Sequence, residues 1–141
     1  MHGLSIVDLL ETEELAVKNA IPTAEGALQQ AMEMTDYTIF GANCIITGYG
    51  RISRLLATRL RAMGATVTIT SRRSDHKAWI EAEGYHYCYT ISLKDVVDSA
   101  DIIFNTVPSP VLTRHVLRKM KREALIIDLA SQPGGAGRAF R

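Results

Sequence analysis

The sequence predicts an α/β fold of three layers, with a doubly wound parallel sheet between helices, preceded by two further helices. From Asn43 onward, runs rich in apolar and β-branched residues alternate with segments of helical periodicity, which gives five strands and four helices. Several of these runs are apolar throughout, as expected of parallel strands that are buried on both faces. Alternation of this kind is typical of a Rossmann-type domain.

Local signals place each element of this domain. The predicted strands lie at residues 44–47, 66–70, 85–89, 101–107 and 124–130. The predicted helices lie at residues 52–63, 75–83, 92–100 and 111–121. Gly64 and Gly84 follow the first two helices, where glycine commonly ends a helix. Asp75 and Ser92 are predicted to cap the helices that begin near them, because short polar side chains satisfy free amides there.

The amino-acid composition argues against several classes of function. Nearly half of the residues are hydrophobic (47%) and the formal net charge is +1, so no basic face indicates nucleic-acid or membrane binding. Cys44 and Cys88 lie far apart and form no metal-ligand pair, which predicts reduced, buried thiols and no metal site. No apolar run approaches the roughly 20 residues of a membrane span. We therefore expect a cytoplasmic protein with no membrane or nucleic-acid partner.

A glycine-rich loop follows the first predicted strand and opens the next helix. Gly48 permits the tight turn and Gly50 lets the backbone approach a pyrophosphate, while amides near Arg51 and Ile52 face the negative charge. The third position of the pattern holds Ser53, a small residue where glycine or alanine is usual. An ordinary glycine turn is the alternative, but the strand–loop–helix context favours a dinucleotide site.

The end of the second strand indicates which dinucleotide is bound. An NAD site places Asp or Glu there to accept a hydrogen bond from the ribose 2′-hydroxyl. This chain has Ser71, Arg72 and Arg73 instead, and arginine grips a phosphate with two parallel hydrogen bonds. The pattern therefore favours NADP over NAD. The alternative is that both arginines are solvated loop residues.

Two loops at the carboxyl ends of the later strands are candidates for the nicotinamide end of the site. One contains Thr106, Val107 and Pro108, and the other begins at Ser131. Ligands of such sheets lie beyond the carboxyl strand ends, although both segments are also compatible with structural turns. Asp128, near the end of the last strand, is predicted to satisfy loop amides rather than to act in catalysis.

No catalytic group is identifiable from the sequence. His115 lies on a predicted helix and is expected to be solvated, and His2, His76 and His86 show no partner. No Ser/His/Asp or Cys/His arrangement can be assembled, so the catalytic residues are left unassigned.

The ends of the chain differ from this domain. Amphipathic helices are predicted at residues 9–19 and 23–35, separated by Pro22. Such helices often join the halves of two-domain dehydrogenases. The predicted organisation is therefore linking helices at 1–42, a Rossmann-type dinucleotide-binding domain at 43–135 and a loop-like tail at 136–141. The strand at 124–130 is then at or near a sheet edge, which predicts self-association into a homo-oligomer.

Several motifs together resemble the A subunits of dipicolinate synthases. They are NAIPTAEG at residues 19–26, TIFG at 38–41, the GYGRIS loop at 48–53, the pair Ser71-Arg72, NTVPS at 105–109 and IIDLASQPGG at 126–135. The ending is also similar, more distantly, to alanine dehydrogenase and transhydrogenase domains. Alanine dehydrogenases carry an acidic residue where this chain has Gln132, which counts against that chemistry.

The resemblance implies an NADP-binding subunit that dehydrogenates dihydrodipicolinate during sporulation, with a flavoprotein-like partner as the second subunit. Family members have a domain before this region and a strand and helix after it, so we expect this chain to hold only the cofactor domain. Two alternatives stay open. The chain is a non-catalytic dinucleotide-binding module, or it is the cofactor half of a D-2-hydroxyacid or amino-acid dehydrogenase.

Overall fold

A six-stranded sheet in the order β3-β2-β1-β4-β5-β6 forms the centre of the protein. The computed structural model describes the backbone of residues 6–130 and 138–140 and the side chains of residues 12–130. The strands are β1 (Asn43–Thr47), β2 (Thr66–Ser71), β3 (His86–Tyr89), β4 (Ile102–Asn105), β5 (Leu125–Asp128) and β6 (Arg138–Phe140). The helices are α1 (Ile6–Met34), α2 (Arg51–Ala62), α3 (Ser74–Ala82) and α4 (Arg114–Lys119).

The first five strands are parallel, as predicted, and the chain reverses its direction of travel across the sheet between β1 and β4. In doubly wound sheets this reversal opens a crevice at the carboxyl ends of the strands. The register aligns one row of polar residues across that edge, in the order Thr70, Thr47, Asn105, Asp128. The fold thus concentrates polar groups where a ligand is expected.

Both faces of the sheet are covered, which confirms the three-layer prediction. On one face, Cys44 and Ile46 of β1 pack in a core with residues of α1 and α2. On the other face, Ile45 packs with Leu93 and Val116. Neighbouring residues of one strand therefore enter opposite cores, which explains why the strands are apolar throughout.

Helix α1 is a single element, so the prediction of two helices separated by Pro22 is wrong. Pro22 lies inside the helix on its exposed side, where the missing amide can be tolerated. Ala20, Ala24, Ala27 and Ala31 are almost fully buried at a spacing of three or four residues. Ala20 is buried before Pro22, and Ala24, Ala27 and Ala31 pack in the core after it, so tertiary packing maintains one helix across the proline.

The connections around β4 also depart from the predictions. Instead of a helix at 92–100 capped by Ser92, two 3₁₀ helices occupy Thr90–Asp95 and Val97–Ser99. They nevertheless bury Leu93 and Val97, so the apolar pattern was informative about burial although it was misleading about helix type. Helix α4 is shorter than predicted, with the Thr113 hydroxyl accepting a hydrogen bond from the Val116 amide at 3.3 Å as its cap.

The tail contains a strand, contrary to the prediction of a loop at 136–141. Strand β6 pairs antiparallel with β5, with Ile127 opposite Ala139. Strand β5 therefore has neighbours on both sides and is not a sheet edge, which removes the reason for expecting self-association through that strand.

Candidate functional site

The loop between β1 and α2 has the geometry of a phosphate-binding turn. Gly48 has φ of +92°, and its amide donates to the Thr70 carbonyl at 3.0 Å. Gly50 precedes the first helical residue, and its carbonyl accepts the first intrahelical bond, from the Arg54 amide at 3.0 Å. The preceding helical amides, Arg51 and Ile52 among them, have no acceptor within the helix and carry its positive dipole end. This arrangement suits an anion.

The two glycines of the loop are required for different reasons. A Cβ on Gly48 would lie 2.6 Å from Val107 Cγ1 and 2.7 Å from Thr106 Oγ1, so any side chain there collides with the loop after β4. A Cβ on Gly50 meets no atom within 4 Å, and Gly50 has φ of −111°, which any residue can adopt. Space in front of Gly50 is therefore free for a ligand, as the sequence pattern predicts.

Tyr49 lies between these glycines and contacts three other side chains, which hold the loop in place. Its hydroxyl donates to the Glu83 carboxylate, and its ring centroid lies 5.1 Å from that of His76. The Arg54 guanidinium lies 5.3 Å from the centre of the same ring. Burial, followed by the Glu83 carboxylate, raises the pKa of Tyr49 to about 12, so the phenol is a neutral structural donor at physiological pH.

Arg51 contributes more than its backbone amide to the site. Its guanidinium makes a two-point ion pair with the Glu13 carboxylate of α1, with Nε donating to Oε2 at 2.9 Å. Both side chains are about half exposed. The contact joins α1 to the first turn of α2, beside the predicted pyrophosphate position.

At the end of β2, the Ser71 hydroxyl is already engaged. Ser71 is buried, its Oγ accepts the Arg73 amide at 3.1 Å, and it lies 2.7 Å from His76 Nδ1. The statement that His76 has no partner is therefore wrong. The hydroxyl shapes the turn that carries the two arginines.

The arginines of this turn differ from one another. Arg72 is exposed, and its Nη2 donates to Ser109 Oγ at 3.2 Å, across the crevice. Arg73 instead pairs with the Asp75 carboxylate. Arg73 immediately precedes α3 and occupies the N-cap position, where its side chain makes no capping bond. Asp75 lies within the first turn of the helix, so the prediction that Asp75 caps this helix is wrong. Hydrogen bonding to Arg73 lowers the pKa of Asp75, and the same contact raises that of Arg73.

The loop after β4 closes the crevice from the opposite side. The Thr106 hydroxyl donates to the Thr47 carbonyl, and the Thr106 amide does so at 3.2 Å. Val107 and Pro108 line a cavity of about 280 Å³ together with Gly48, Ser71, Arg72 and Arg73. The structure thus brings predicted residues from three separate segments to one crevice. Ser131, the remaining predicted contact, lies outside the described residues.

A second cavity, of about 460 Å³, adjoins this crevice at Arg72, Thr90 and Val111. Its lining includes the side chains of Tyr89 and Ile91 and three basic residues, Arg72, Lys94 and His115, with no acidic residue among them. His115 is exposed on α4, as predicted. The sequence did not indicate this cavity, because its residues come from three separate segments of the chain, 72, 89–94 and 110–116.

The structure also shows polar partners that sequence reasoning missed. Thr47 Oγ1 donates to Asn105 Oδ1 at 2.6 Å, and Asn105 Nδ2 donates to Asp128 Oδ1 at 3.0 Å. Asp128 Oδ1 also accepts the Ala130 amide at 3.1 Å, as predicted for a carboxylate that satisfies loop amides. Thr47 and Asn105 lie 58 residues apart, and only the strand register could have paired them.

The described residues contain neither a metal-binding cluster nor a membrane-spanning helix. Among the described residues, no group of three His, Cys, Asp or Glu side chains is arranged to hold a metal ion. Over the same part of the chain, no helix combines the length and the apolar character needed to cross a membrane.

Comparison with known proteins agrees with this geometry. Residues 10–132 match the model of the NAD-binding domain of D-isomer-specific 2-hydroxyacid dehydrogenases. The chain is 42% identical over 130 residues to the A subunit of dipicolinate synthase from Bacillus subtilis (strain 168), which covers 92% of this chain and 44% of that protein. The predicted resemblance is therefore confirmed, and the chain spans less than half the length of this curated relative.

Solved structures give the same result. The crystal structure of the dipicolinate synthase A subunit from Bacillus halodurans superimposes with a TM-score of 0.83 at 38% identity, covering 92% of this chain and 44% of that one. The Bacillus subtilis counterpart gives 0.80 at 42% identity, covering 86% and 41%. A transhydrogenase from Sinorhizobium meliloti gives 0.72 at 21% identity, over 84% of this chain and 41% of that one, and shares the fold.

Proposed function

The chain belongs to the NAD-binding domains of the D-isomer-specific 2-hydroxyacid dehydrogenase family, and on this premise we propose that it is the NADP-binding part of a dipicolinate synthase A subunit. Its reaction is the dehydrogenation of dihydrodipicolinate to dipicolinate. The 42% identity to the A subunit of a dipicolinate synthase supports the substrate. The arginine pair at the end of β2 supports the choice of NADP.

The described residues fit such a cofactor. The open space at Gly50 and the free amides of Arg51 and Ile52 suit the diphosphate. The 460 Å³ cavity beside Arg72 has the size and the apolar walls for an adenine ring. Thr106, Val107 and Pro108, with Ser131, would hold the nicotinamide end.

One observation carries the preference for NADP. Strand β2 ends at Ser71, and the turn that follows presents two guanidinium groups, while its acidic residue, Asp75, is engaged by Arg73. No carboxylate on this turn is left to accept from a ribose 2′-hydroxyl, whereas Arg72 lines both cavities and can meet a 2′-phosphate.

In the proposed reaction, bound NADP supplies a nicotinamide that accepts a hydride while a proton leaves the substrate ring. The chain's own part is to bind and orient. The amides at the start of α2 hold the diphosphate, Arg72 fixes the adenosine end, and the loop after β4 limits where the nicotinamide can lie. Correct orientation can lower a barrier by several kcal/mol.

A titration of the whole 141-residue chain tests this proposal. Calorimetry with NADPH and with NADH should show tighter binding of NADPH, and equal affinities would remove the basis for NADP. Incubation with dihydrodipicolinate and NADP should give negligible reduced cofactor, because the chain spans 44% of its relative and its described crevice contains no identified acid–base pair. Robust turnover by the chain alone would contradict the proposal that it is only the cofactor-binding part of the enzyme.

The remaining parts of the proposal concern the assembly. We place the activity in the cytoplasm of a spore-forming cell, where the A subunit works with a flavoprotein-like second subunit. The second candidate is a non-catalytic dinucleotide-binding module, and the lack of an identified acid–base pair in the described crevice favours it for the isolated chain. Replacing the matching part of the Bacillus subtilis A subunit by this chain and adding the second subunit separates the two, since only an oxidoreductase would then support turnover.

A further inference from the structure

The polar row at the carboxyl edge of the sheet connects the three strands that border the crevice. Thr47 ends β1, Asn105 ends β4 and Asp128 ends β5, and the register places them side by side. Thr47 is fully buried, and the other two side chains are half-buried. A continuous chain of hydrogen bonds runs through them, from Thr47 Oγ1 to Asn105 Oδ1 and from Asn105 Nδ2 to Asp128 Oδ1.

Asn105 uses both ends of its amide group in this row. Its oxygen accepts from Thr47, while its nitrogen donates to Asp128 Oδ1 and to the Val107 carbonyl at 3.1 Å. An amide supplies an acceptor and two donors on one short side chain, which neither leucine nor aspartate can do. Three hydrogen-bond partners therefore require an amide side chain at position 105.

These bonds act on the two loops that leave the sheet beside the proposed nicotinamide position. The bond to the Val107 carbonyl fixes the loop after β4, the same loop that packs against Gly48. The bond to Asp128 holds a carboxylate that in turn accepts the Ala130 amide, at the start of the segment after β5. One side chain thus ties both loops to β1.

We propose that Asn105, directly and through Asp128, is a positioning residue that sets the backbone just after β4 and β5, at Val107 and Ala130, for the nicotinamide half of the cofactor. The inference rests on the proposed binding of NADP. It assigns to Asn105 and Asp128 a function in cofactor geometry that goes beyond supporting the fold. The adenosine half is held by the turn after β2, whose hydrogen bond to the loop after β4 is made by Arg72 at Ser109 and not at Val107.

This difference between the two halves of the cofactor provides the test. The whole chain and its variants are titrated with NADPH and with adenosine 2′,5′-bisphosphate, which contains only the adenosine half. Asn105→Leu and Asp128→Leu should each weaken NADPH binding at least about tenfold, since a buried hydrogen-bonded partner is lost. Binding of adenosine 2′,5′-bisphosphate should weaken by a smaller factor, because Asn105 and Asp128 reach Arg72 only indirectly, through the loop that carries Ser109.

Matched variants separate positioning from charge. Removing the negative charge of Asp128 should on electrostatic grounds strengthen the binding of an anionic cofactor. Weaker NADPH binding by Asp128→Leu would therefore not come from the loss of that charge. Asp128→Asn keeps an acceptor oxygen and should stay within about threefold of the wild type. The double leucine variant should lose less affinity than the sum of the two single losses, because both changes break the same bond between Asn105 and Asp128.

Each outcome has a definite meaning. Equal losses of both ligands in the leucine variants, or fully additive losses, would show a structural role and overturn the inference, and so would unchanged NADPH binding. If Asn105→Leu does not fold, Asp128→Leu and Asp128→Asn make the same comparison. Failure of the wild type to bind adenosine 2′,5′-bisphosphate would contradict the proposed NADP site, and the series run with NADH and 5′-AMP would still test the positioning role.

Discussion

Arg73 and Asp75 form a two-point ion pair at the end of β2, with Arg73 Nε 3.0 Å from Asp75 Oδ1 and Arg73 Nη2 2.6 Å from Oδ2. The guanidinium of Arg73 is therefore occupied in the structure, whereas that of Arg72 has a single neutral contact, with Ser109. The two adjacent arginines are consequently unequal as candidates for binding a 2′-phosphate.

This difference predicts which of two arginine substitutions weakens NADPH binding more. Arg72→Ala should weaken NADPH binding by about 1.5–3 kcal/mol, which is at least roughly tenfold, and should leave NADH nearly unchanged. Arg73→Ala should have a smaller effect, because its partner Asp75 already holds the guanidinium. Calorimetric titration of both cofactors measures the ranking. A larger loss with Arg73→Ala would show that the ion pair opens readily for the ligand.

Neutralising Asp75 should act in the opposite direction. Asp75→Asn removes the carboxylate that competes with the phosphate for Arg73, so NADPH should bind about two- to fivefold more tightly, the range that a surface ion pair allows. NADH lacks the 2′-phosphate and is the internal control. Asp98→Asn, on an exposed 3₁₀ helix, is the matched charge control and should change neither affinity. Weaker NADPH binding by Asp75→Asn would contradict the competition.

The two loop glycines should respond differently to a side chain. Gly50→Val should abolish binding of either cofactor while the chain stays folded, because the new side chain enters the open space proposed for the pyrophosphate. Gly48→Val should lower the free energy of unfolding by several kcal/mol, since it combines a positive φ with collisions against Thr106 and Val107. Circular dichroism melts and cofactor titrations separate the two effects. Retained affinity in Gly50→Val would mean that the loop is only a turn.

A carboxylate at the opposite edge of the sheet predicts a pH dependence of stability. Burial alone would raise the pKa of Asp101, but hydrogen bonds from the Asn43 amide and from Lys121, at 2.8 Å each, outweigh it and lower the pKa below 3.8. A carboxyl whose pKa is lower in the folded state stabilises the fold above its unfolded pKa, and loses that effect as the pH falls through the folded pKa.

Asp101→Asn should therefore lower the free energy of unfolding by about 1–2 kcal/mol at neutral pH. The difference between variant and wild type should be larger at neutral pH than at an acidic pH below the ordinary aspartate pKa of about 3.9, because the wild-type carboxyl takes up a proton as the pH falls. Urea unfolding at both pH values measures it, with Asp98→Asn as the exposed control. A difference that did not depend on pH would show that Asp101 acts through its shape and not through its charge.

Local patterns determined much of this protein without the fold. The strands, the glycine loop and the helix that follows it were predictable because runs of apolar residues, backbone freedom at glycine and helical periodicity are properties of a few neighbouring residues. The carboxyl-edge position of Thr106 and Val107 was predictable for a related reason. Alternation of strands and helices dictates a parallel sheet, and in a parallel sheet the carboxyl ends share one edge.

Contacts between distant segments were decided only by the tertiary structure. Arg51 meets Glu13 across 38 residues, and Thr47 meets Asn105 across 58, with no local signal for either contact. Helix α1 continues through Pro22 because its alanine residues pack in the core. The helix propensity of the segment alone does not include this packing energy. The occupied guanidinium of Arg73 and the connected row at Asn105 follow from such contacts. A side chain's partners depend on which backbones the fold brings within hydrogen-bonding distance, and that is a property of the whole chain.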